Sequence, residues 1–196
     1  MQFETPLCEI AYRYGTDKCP QVAHSYTPFY HRLLADKRKS FRKVMELGIG
    51  TKAQMGRRAV PHYRTGASLY MWRDYFPNAQ IYGADYMGNA LFQDERITTL
   101  FCDERKASDL EAVIRNTGRN IDLFIDDGSH YWCHQVFACA TVLPLLKKDV
   151  IYIIEDVNHA DRVTRDLTAK GFICKGIRFV GKDRMKGDSI MIVRRP

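Results

Sequence analysis

Long hydrophobic runs are missing from this chain of 196 residues, whose longest purely apolar stretches, such as "VIYII", are about five residues long. A membrane-spanning helix needs about 20 mostly apolar residues, so the sequence predicts no membrane span. The first ten residues, "MQFETPLCEI", lack a basic region followed by an apolar one, and we expect no secretory signal. No repeat or low-complexity segment divides the chain, and its length predicts one domain over residues 1–196.

Cysteine pairs with the spacing of a metal or redox site are also missing. The six cysteines form no CxxC motif and no zinc-finger pattern. Most of them lie among apolar residues, where a free thiol behaves as a small hydrophobic group. We therefore expect reduced cysteines and a cytoplasmic protein.

Acidic residues are outnumbered, 23 against 30 lysines and arginines, which gives a net charge of +7. Such an excess permits an anionic partner, for example nucleic acid or a phosphorylated substrate. The basic residues are widely spread, however, with modest enrichment at 37–43, 52–64 and 175–195. A solvated basic surface explains that distribution equally well.

Short apolar segments alternate with helical patterns from residue 43 onwards. This alternation predicts a parallel sheet with helices on both faces, and the last two segments, "FICKGIRFV" and "DSIMIVRR", predict an antiparallel hairpin. The fold class is therefore α/β, with a doubly wound, mostly parallel seven-stranded sheet, a terminal antiparallel hairpin and N-terminal helices. Residues 1–43 would form a helical cap and 44–196 the core.

Three helix starts are indicated by local motifs. Thr-Pro pairs at 5–6 and 27–28 suit an N-cap followed by the first helical residue. Ser108 with Glu111 matches a capping box. We expect helices to begin at these positions.

Acidic residues follow five successive predicted strands. They occur in "ELGIG" (46–50), "GADY" (83–86), "CDE" (102–104), "DDGSH" (126–130) and "IEDV" (154–157). Ligands bind at the carboxyl ends of the strands in open α/β sheets. The sequence therefore predicts an acid-lined binding site at that edge.

The glycine turn "ELGIGTKA" satisfies a loose dinucleotide fingerprint, but two details argue against that reading. Glu46 precedes the first glycine, where it would repel a pyrophosphate, and the next strand-end acid, Asp85, comes 39 residues after it instead of the roughly 20 of the fingerprint. An acid-lined turn suits a cofactor that carries positive charge, an amino group and a ribose diol. S-adenosylmethionine has all three.

Several longer stretches together resemble one family. They are "YGTDK", "YTPFY", "MELGIGT", "GASLYMWRDYFPNAQIYGADY", "IDLFIDDGSH" and "IYIIEDV", which span residues 14 to 157. With them the chain resembles the class I, Rossmann-like S-adenosylmethionine-dependent methyltransferases, and more narrowly the metal-dependent sugar O-methyltransferases of the mycinamicin and macrocin type. The resemblance implies a natural-product biosynthetic transferase that uses S-adenosyl-L-methionine and Mg²⁺.

The resemblance also implies roles for individual residues. On the cofactor side they are Glu46, Gly48, Gly50 and Ser68 at the methionine end, Asp85 at the ribose, Asp103 at the adenine, and Asp126 facing the cofactor. The implied metal ligands are Asp127, Glu155 and Asp156. His130 would be the general base that takes a proton from the acceptor hydroxyl.

The identity of the acceptor stays open in the sequence. A small-molecule hydroxyl, on a sugar or another natural product, is the expected partner, and a homo-oligomer is left open. A nucleic-acid 2′-O-methyltransferase is disfavoured without being excluded, because such enzymes use a lysine–aspartate–lysine–glutamate tetrad, whereas Glu155 and Asp156 end the fifth strand here. A non-catalytic cofactor-binding module and a hydroxylase-like relative are further alternatives.

Three other features receive weaker interpretations. His134, one turn beyond His130, could line the site or lie at the surface, and the surface is the favoured position. His24 carries no signal. The basic segment 51–65 predicts a loop over the site.

Overall fold

The structure, a computed structural model, describes residues 2–56, 60–179 and 188–196. The α-helices are α1 Pro6–Tyr14, α2 Tyr26–Leu34, α3 Lys52–Met55, α4 Ala67–Tyr75, α5 Ala107–Thr117, α6 Trp132–Val142 and α7 Ala160–Ala169. The strands are β1 Lys43–Leu47, β2 Gln80–Asp85, β3 Gln93–Asp94, β4 Ile97–Phe101, β5 Leu123–Asp126, β6 Ile151–Ile154, β7 Ile173–Arg178 and β8 Ser189–Arg194. No helix in these ranges is long and apolar enough to cross a membrane.

The strands form one mixed sheet in the order β3-β4-β2-β1-β5-β6-β8-β7. Neighbours from β4 to β6 pair in parallel, while β8 pairs antiparallel with both β6 and β7. The α/β fold and the terminal hairpin are thus confirmed. The described sheet has eight strands instead of seven, because the two-residue strand β3 adds an antiparallel edge to β4.

Side chains alternate between the two faces of the sheet, as the period of two in a strand requires. Val44 packs in one buried hydrophobic cluster and Met45 in the other. The first cluster also contains Tyr30 of α2 and Trp72 of α4. The N-terminal helices therefore share a core with the sheet, and the division into a cap (1–43) and a core (44–196) stays a prediction.

Helix starts agree with the motifs in one case out of three. Thr5 caps α1 by accepting a hydrogen bond from the backbone N–H of Cys8. Helix α2 begins at Tyr26, before the Thr-Pro pair, and Thr27 is buried within it. The capping-box prediction at Ser108 is wrong, since α5 already begins at Ala107 and its N-cap residue makes no side-chain cap.

Candidate active site

A cavity of about 600 Å³ lies at the carboxyl edge of the sheet. The carboxyl ends of β1, β2, β4, β5 and β6 all contribute to its lining. Asp85 is the last residue of β2, and Gly48, Asp103, Asp127 and Glu155 come just after the other four strands. The structure therefore confirms that the acid-bearing strand ends meet at one site. Gln54 and Tyr63 of the segment 51–65 also line the cavity, while Arg57, Arg58 and Ala59 of that segment lie outside the described residues.

The glycine turn after β1 is fixed by its neighbours. Gly48 has a φ of 90°, and a Cβ there would lie 2.0 Å from the backbone oxygen of Asp127. Only glycine fits, because the turn packs against the end of β5. Asp85 holds the same turn: its Oδ2 accepts the N–H groups of Ile49 at 2.9 Å and Gly50 at 3.3 Å, and its Oδ1 accepts that of Met87 at 2.9 Å.

Glu46 is a fully buried acid on β1. Its Oε2 accepts the indole N–H of Trp72 at 2.6 Å, whereas its Oε1 makes no hydrogen bond within the described part of the chain. Burial raises the pKa of Glu46, while the charge of Lys18 and hydrogen bonding by Ser68 and Trp72 oppose that rise. Ser68 lines the cavity beside it.

Lys18, in the loop between α1 and α2, is also buried. Its Nζ lies 2.6 Å from Asp127 Oδ2, 2.5 Å from Glu155 Oε2 and 3.3 Å from Glu46 Oε1. Burial alone would lower the pKa of this lysine, but the surrounding acids raise it well above its usual value. Lys18 is therefore a charged ammonium at the centre of three carboxylates.

Asp127, His130 and Asp156 converge beside this cluster, with one potential ligand atom of each within 4.8 Å of the others. Nε2 of His130 lies 3.2 Å from Asp127 Oδ1, and its Nδ1 lies 3.4 Å from Asp156 Oδ2. Burial lowers the pKa of His130, but Asp127 and Asp156 outweigh it and raise the value to about 9. Lys18 and His130 in turn hold the pKa of Asp127 below its usual range, against the effect of burial.

Backbone strain is concentrated at the same place. Among the described residues, those with positive φ other than glycine are Arg96, His130 at 60° and Asp156 at 49°. Such conformations are costly and persist where the surrounding structure enforces them, as at functional sites. The two strained residues face each other across the convergence point.

Glu155 is placed differently from the other two predicted metal ligands. Its Oε2 contacts Lys18, and its Oε1 accepts the hydroxyl of Tyr30 at 2.5 Å. Both oxygens are thus already engaged, and Glu155 is not part of the convergent group. Asp156 accepts the hydroxyl of Tyr26 at Oδ1 and presents Oδ2 to His130 at 3.4 Å.

Asp126 is not among the residues that line the cavity, and its role facing the cofactor stays a prediction. Its in-register neighbours are the buried residues Leu47 and Ile154, and it is itself buried. Burial and the charge of Glu104 raise its pKa well above the usual range. The reason is strand alternation, which points Asp126 away from the side that Asp127 takes.

Asp103 does line the cavity. Its carboxylate accepts two hydrogen bonds from the Arg105 guanidinium, at 2.8 and 2.9 Å. The hydrogen bonds and charge of Arg105 hold the pKa of Asp103 well below its usual range. Asp103 is accordingly a charged acceptor in the lining of the cavity.

His134 also lines the cavity, with its side chain 29% exposed. Its Nδ1 lies 2.8 Å from Ser129 Oγ and 3.5 Å from Glu104 Oε1. In a catalytic triad of serine, histidine and acid, the serine contacts one ring nitrogen of the histidine and the acid contacts the other. Ser129 and Glu104 both lie next to Nδ1 of His134, so these three residues do not form a triad. The group instead fixes the turn after Asp127.

Sequence reasoning missed Lys18, His24, Tyr26 and Tyr30. Lys18 belongs to the "YGTDK" stretch and the tyrosines to "YTPFY", both already quoted for the resemblance, but no role was attached to them. His24 is buried 3.4 Å from Asp188. No local signal marks Lys18, Tyr26 and Tyr30, because their hydrogen-bond partners Asp127, Asp156 and Glu155 lie more than 100 positions away in the chain.

Comparison with known proteins finds relatives of this chain. The chain is 35% identical over 151 residues to mycinamicin VI 2''-O-methyltransferase of Micromonospora griseorubida, a match that covers 77% of this chain and 36% of that protein. It is 36% identical over 151 residues, with the same coverage, to a tetracenomycin 3'-O-methyltransferase of Streptomyces olivaceus that acts on a methoxy-rhamnosyl derivative.

A solved structure agrees with these relatives. The MycE methyltransferase of the mycinamycin biosynthetic pathway, in complex with Mg and SAH, superposes with a TM-score of 0.74 at 25% identity, over 98% of this chain and 56% of that one. In both sequence and fold the chain is therefore similar to sugar O-methyltransferases of antibiotic biosynthesis. No protein-family profile matches it. The chain spans about a third of the length of the curated relatives, 36% in the first two.

Proposed function

We propose that the chain is an S-adenosylmethionine-dependent O-methyltransferase that needs a divalent cation and acts on a hydroxyl of a small molecule. The observation that carries this proposal is the convergence of Asp127, His130 and Asp156 in one cavity that the glycine turn and Ser68 also line. The relatives named above act on glycosylated antibiotics, which favours a sugar or another natural-product hydroxyl as the acceptor.

The residues of the cofactor side fit S-adenosylmethionine, which supplies an activated methyl group when bound. Glu46 offers a buried oxygen without a hydrogen bond, which suits the ammonium group of the methionine end, with Ser68 and Gly50 nearby. Asp85 Oδ1 accepts one hydrogen bond, from Met87, and keeps a second lone pair for a ribose hydroxyl. Asp103 would lie toward the adenine.

The residues of the metal side fit Mg²⁺, which would orient and acidify an acceptor hydroxyl. Carboxylate oxygens are the ligands that Mg²⁺ prefers. Asp127 Oδ1 and Asp156 Oδ2 both lie next to the ring of His130, at 3.2 and 3.4 Å from its two nitrogens. Glu155, the third proposed ligand, would have to exchange the contact with Lys18 or with Tyr30 to join them.

His130 is proposed as the general base. Its ring is 38% exposed and both nitrogens are in contact with carboxylates. To accept a hydroxyl proton, the imidazole must first lose its own proton and exchange one of these contacts for the acceptor. Positive charge bound at Asp127 and Asp156 favours that loss, because it lowers the pKa of a nearby imidazole.

Acids around the cavity disfavour a nucleic-acid substrate. Asp17, Glu104 and Asp156 line it together with the other carboxylates, and they would repel a phosphate backbone. A cytoplasmic location and self-association remain predictions.

The proposal is tested by methyl transfer from labelled S-adenosylmethionine to a panel of sugar, catechol and polyketide hydroxyls, with Mg²⁺ and after exhaustive chelation. We expect turnover only with the cation. His130→Ala should lower turnover by about 10²–10⁴-fold, while replacement of the exposed His159, which does not line the cavity, should not. Full activity after chelation would remove the metal, and failure to bind the cofactor would remove the function.

A further inference from the structure

Lys18 is held rigidly although it belongs to a loop. Its backbone oxygen accepts the N–H groups of Tyr26 at 3.1 Å and Thr27 at 3.0 Å, which ties the loop to the first turn of α2. Cys19 beside it accepts the N–H groups of Val22 and Ala23. The position of the ammonium group therefore follows from the packing of α2.

The ammonium group joins two functional halves of the proposed site. Asp127 and Glu155, on the metal side, lie 2.6 and 2.5 Å from Nζ, at hydrogen-bonding distance. Glu46, on the cofactor side, is farther away at 3.3 Å, and its Oε1 makes no hydrogen bond among the described residues. Lys18 thus provides positive charge next to Glu46 without occupying the oxygen that a ligand would use.

Glu46 needs a positive charge next to it to stay ionised. Its side chain is 1% exposed, and a buried carboxylate without a compensating charge tends to take up a proton. Lys18 is the strongest influence that opposes the effect of burial on the pKa of Glu46. A protonated Glu46 would lose its charge attraction for an ammonium group.

We propose that Lys18 is a positioning residue for cofactor binding, which holds Glu46 as the charged acceptor for the cofactor's ammonium group and ties it to the acids of the metal side. This inference rests on the proposed function. A lysine with a purely structural role would change the stability of the protein, but not the affinity of the folded protein for the cofactor.

Lys147 offers a matched control. Its Nζ lies 2.5 Å from Asp122 Oδ1, so it too is a close ion pair. Asp122 precedes β5, whereas Asp127 follows it, which places this pair at the opposite end of the strand. Lys147 does not line the cavity.

The test is calorimetric titration of S-adenosylhomocysteine into the metal-free chain. Lys18→Met should weaken binding by about 10- to 100-fold, which is the effect of losing a charge-assisted hydrogen bond. The affinity of Lys147→Met for S-adenosylhomocysteine should stay within about twofold of that of the original protein, because Lys147 is distant from the cavity lining and pairs with Asp122. Equal losses in both variants, or an unchanged affinity in Lys18→Met, would overturn the inference.

A second comparison covers the case in which Lys18→Met does not fold. The double variant Lys18→Met/Glu155→Gln replaces the ammonium together with the acid that lies nearest to it, and Glu155→Gln alone is its reference. We expect the double variant to bind S-adenosylhomocysteine about tenfold or more weakly than that reference; equal affinity would overturn the inference. If the unaltered chain binds no S-adenosylhomocysteine, the proposed function itself fails, and the two failures are thus distinguished.

Discussion

Loss of the imidazolium at His130 should destabilise the metal-free protein as the pH rises. The pKa of His130 is raised from 6.5 to about 9 by Asp127 and Asp156, against the effect of burial. A raised folded-state pKa means that the stabilisation is fully present below pH 6.5 and is lost as the pH passes through 9. A rise in the pKa of His130 from 6.5 to about 9 corresponds to roughly 3.4 kcal/mol, at about 1.36 kcal/mol for each unit of pKa.

The expected magnitude is smaller than that figure, because solvent screens the pair. The side chain of His130 is 38% exposed, and exposed ion pairs contribute little. We therefore expect about 1–2 kcal/mol, which for a chain of this length is a change in Tm of roughly 2–8 °C.

The assay is urea unfolding in the presence of a chelator at pH 6 and pH 10, for the original protein and for His130→Asn. Asparagine is neutral and tolerates the left-handed conformation at φ 60°, and all other titrating groups cancel in the comparison. The stability advantage of the original protein should fall by about 1–2 kcal/mol between the two pH values. If the advantage stays the same within about 0.3 kcal/mol, His130 carries no such charge and the reasoning is refuted.

Three further predictions follow from single contacts. Gly48→Ala should cost about 2–4 kcal/mol of unfolding free energy, since its Cβ would meet the Asp127 backbone at 2.0 Å. Thermal unfolding checks this against Gly176→Ala, which has nothing within 4 Å, and similar losses in both would contradict it. Asp85→Ala should weaken binding of S-adenosylhomocysteine by about 1.5–3 kcal/mol, and undiminished affinity in calorimetry would remove Asp85 from the cofactor site. Trp72→Phe should lower the free energy of unfolding by about 1.5–3 kcal/mol, because Glu46 loses its 2.6 Å hydrogen bond; denaturation that matches the original protein would show the bond to be dispensable.

The sequence by itself determined the order of the elements and the edge at which the site lies. Apolar periodicity predicted the strands around "KVMEL", "QIYGAD" and "LFID", because buried parallel strands are continuous apolar runs. Their parallel pairing then brings every following residue to one edge, so that Gly48, Asp85 and Asp127 line one cavity. Helix starts were less well predicted, as at Ser108, because a capping motif is weak and packing decides where a helix begins.

Only the tertiary structure decided which carboxylates contact other side chains and which of them line the cavity. Asp126 and Asp127 are adjacent in the chain, yet one is buried in the sheet and the other faces the cavity. Lys18 and Tyr30 engage Glu155 across 137 and 125 positions of sequence, a separation that no local pattern encodes. The charge state of a buried acid depends on what is packed around it, and that packing exists only once α2 has docked against the sheet.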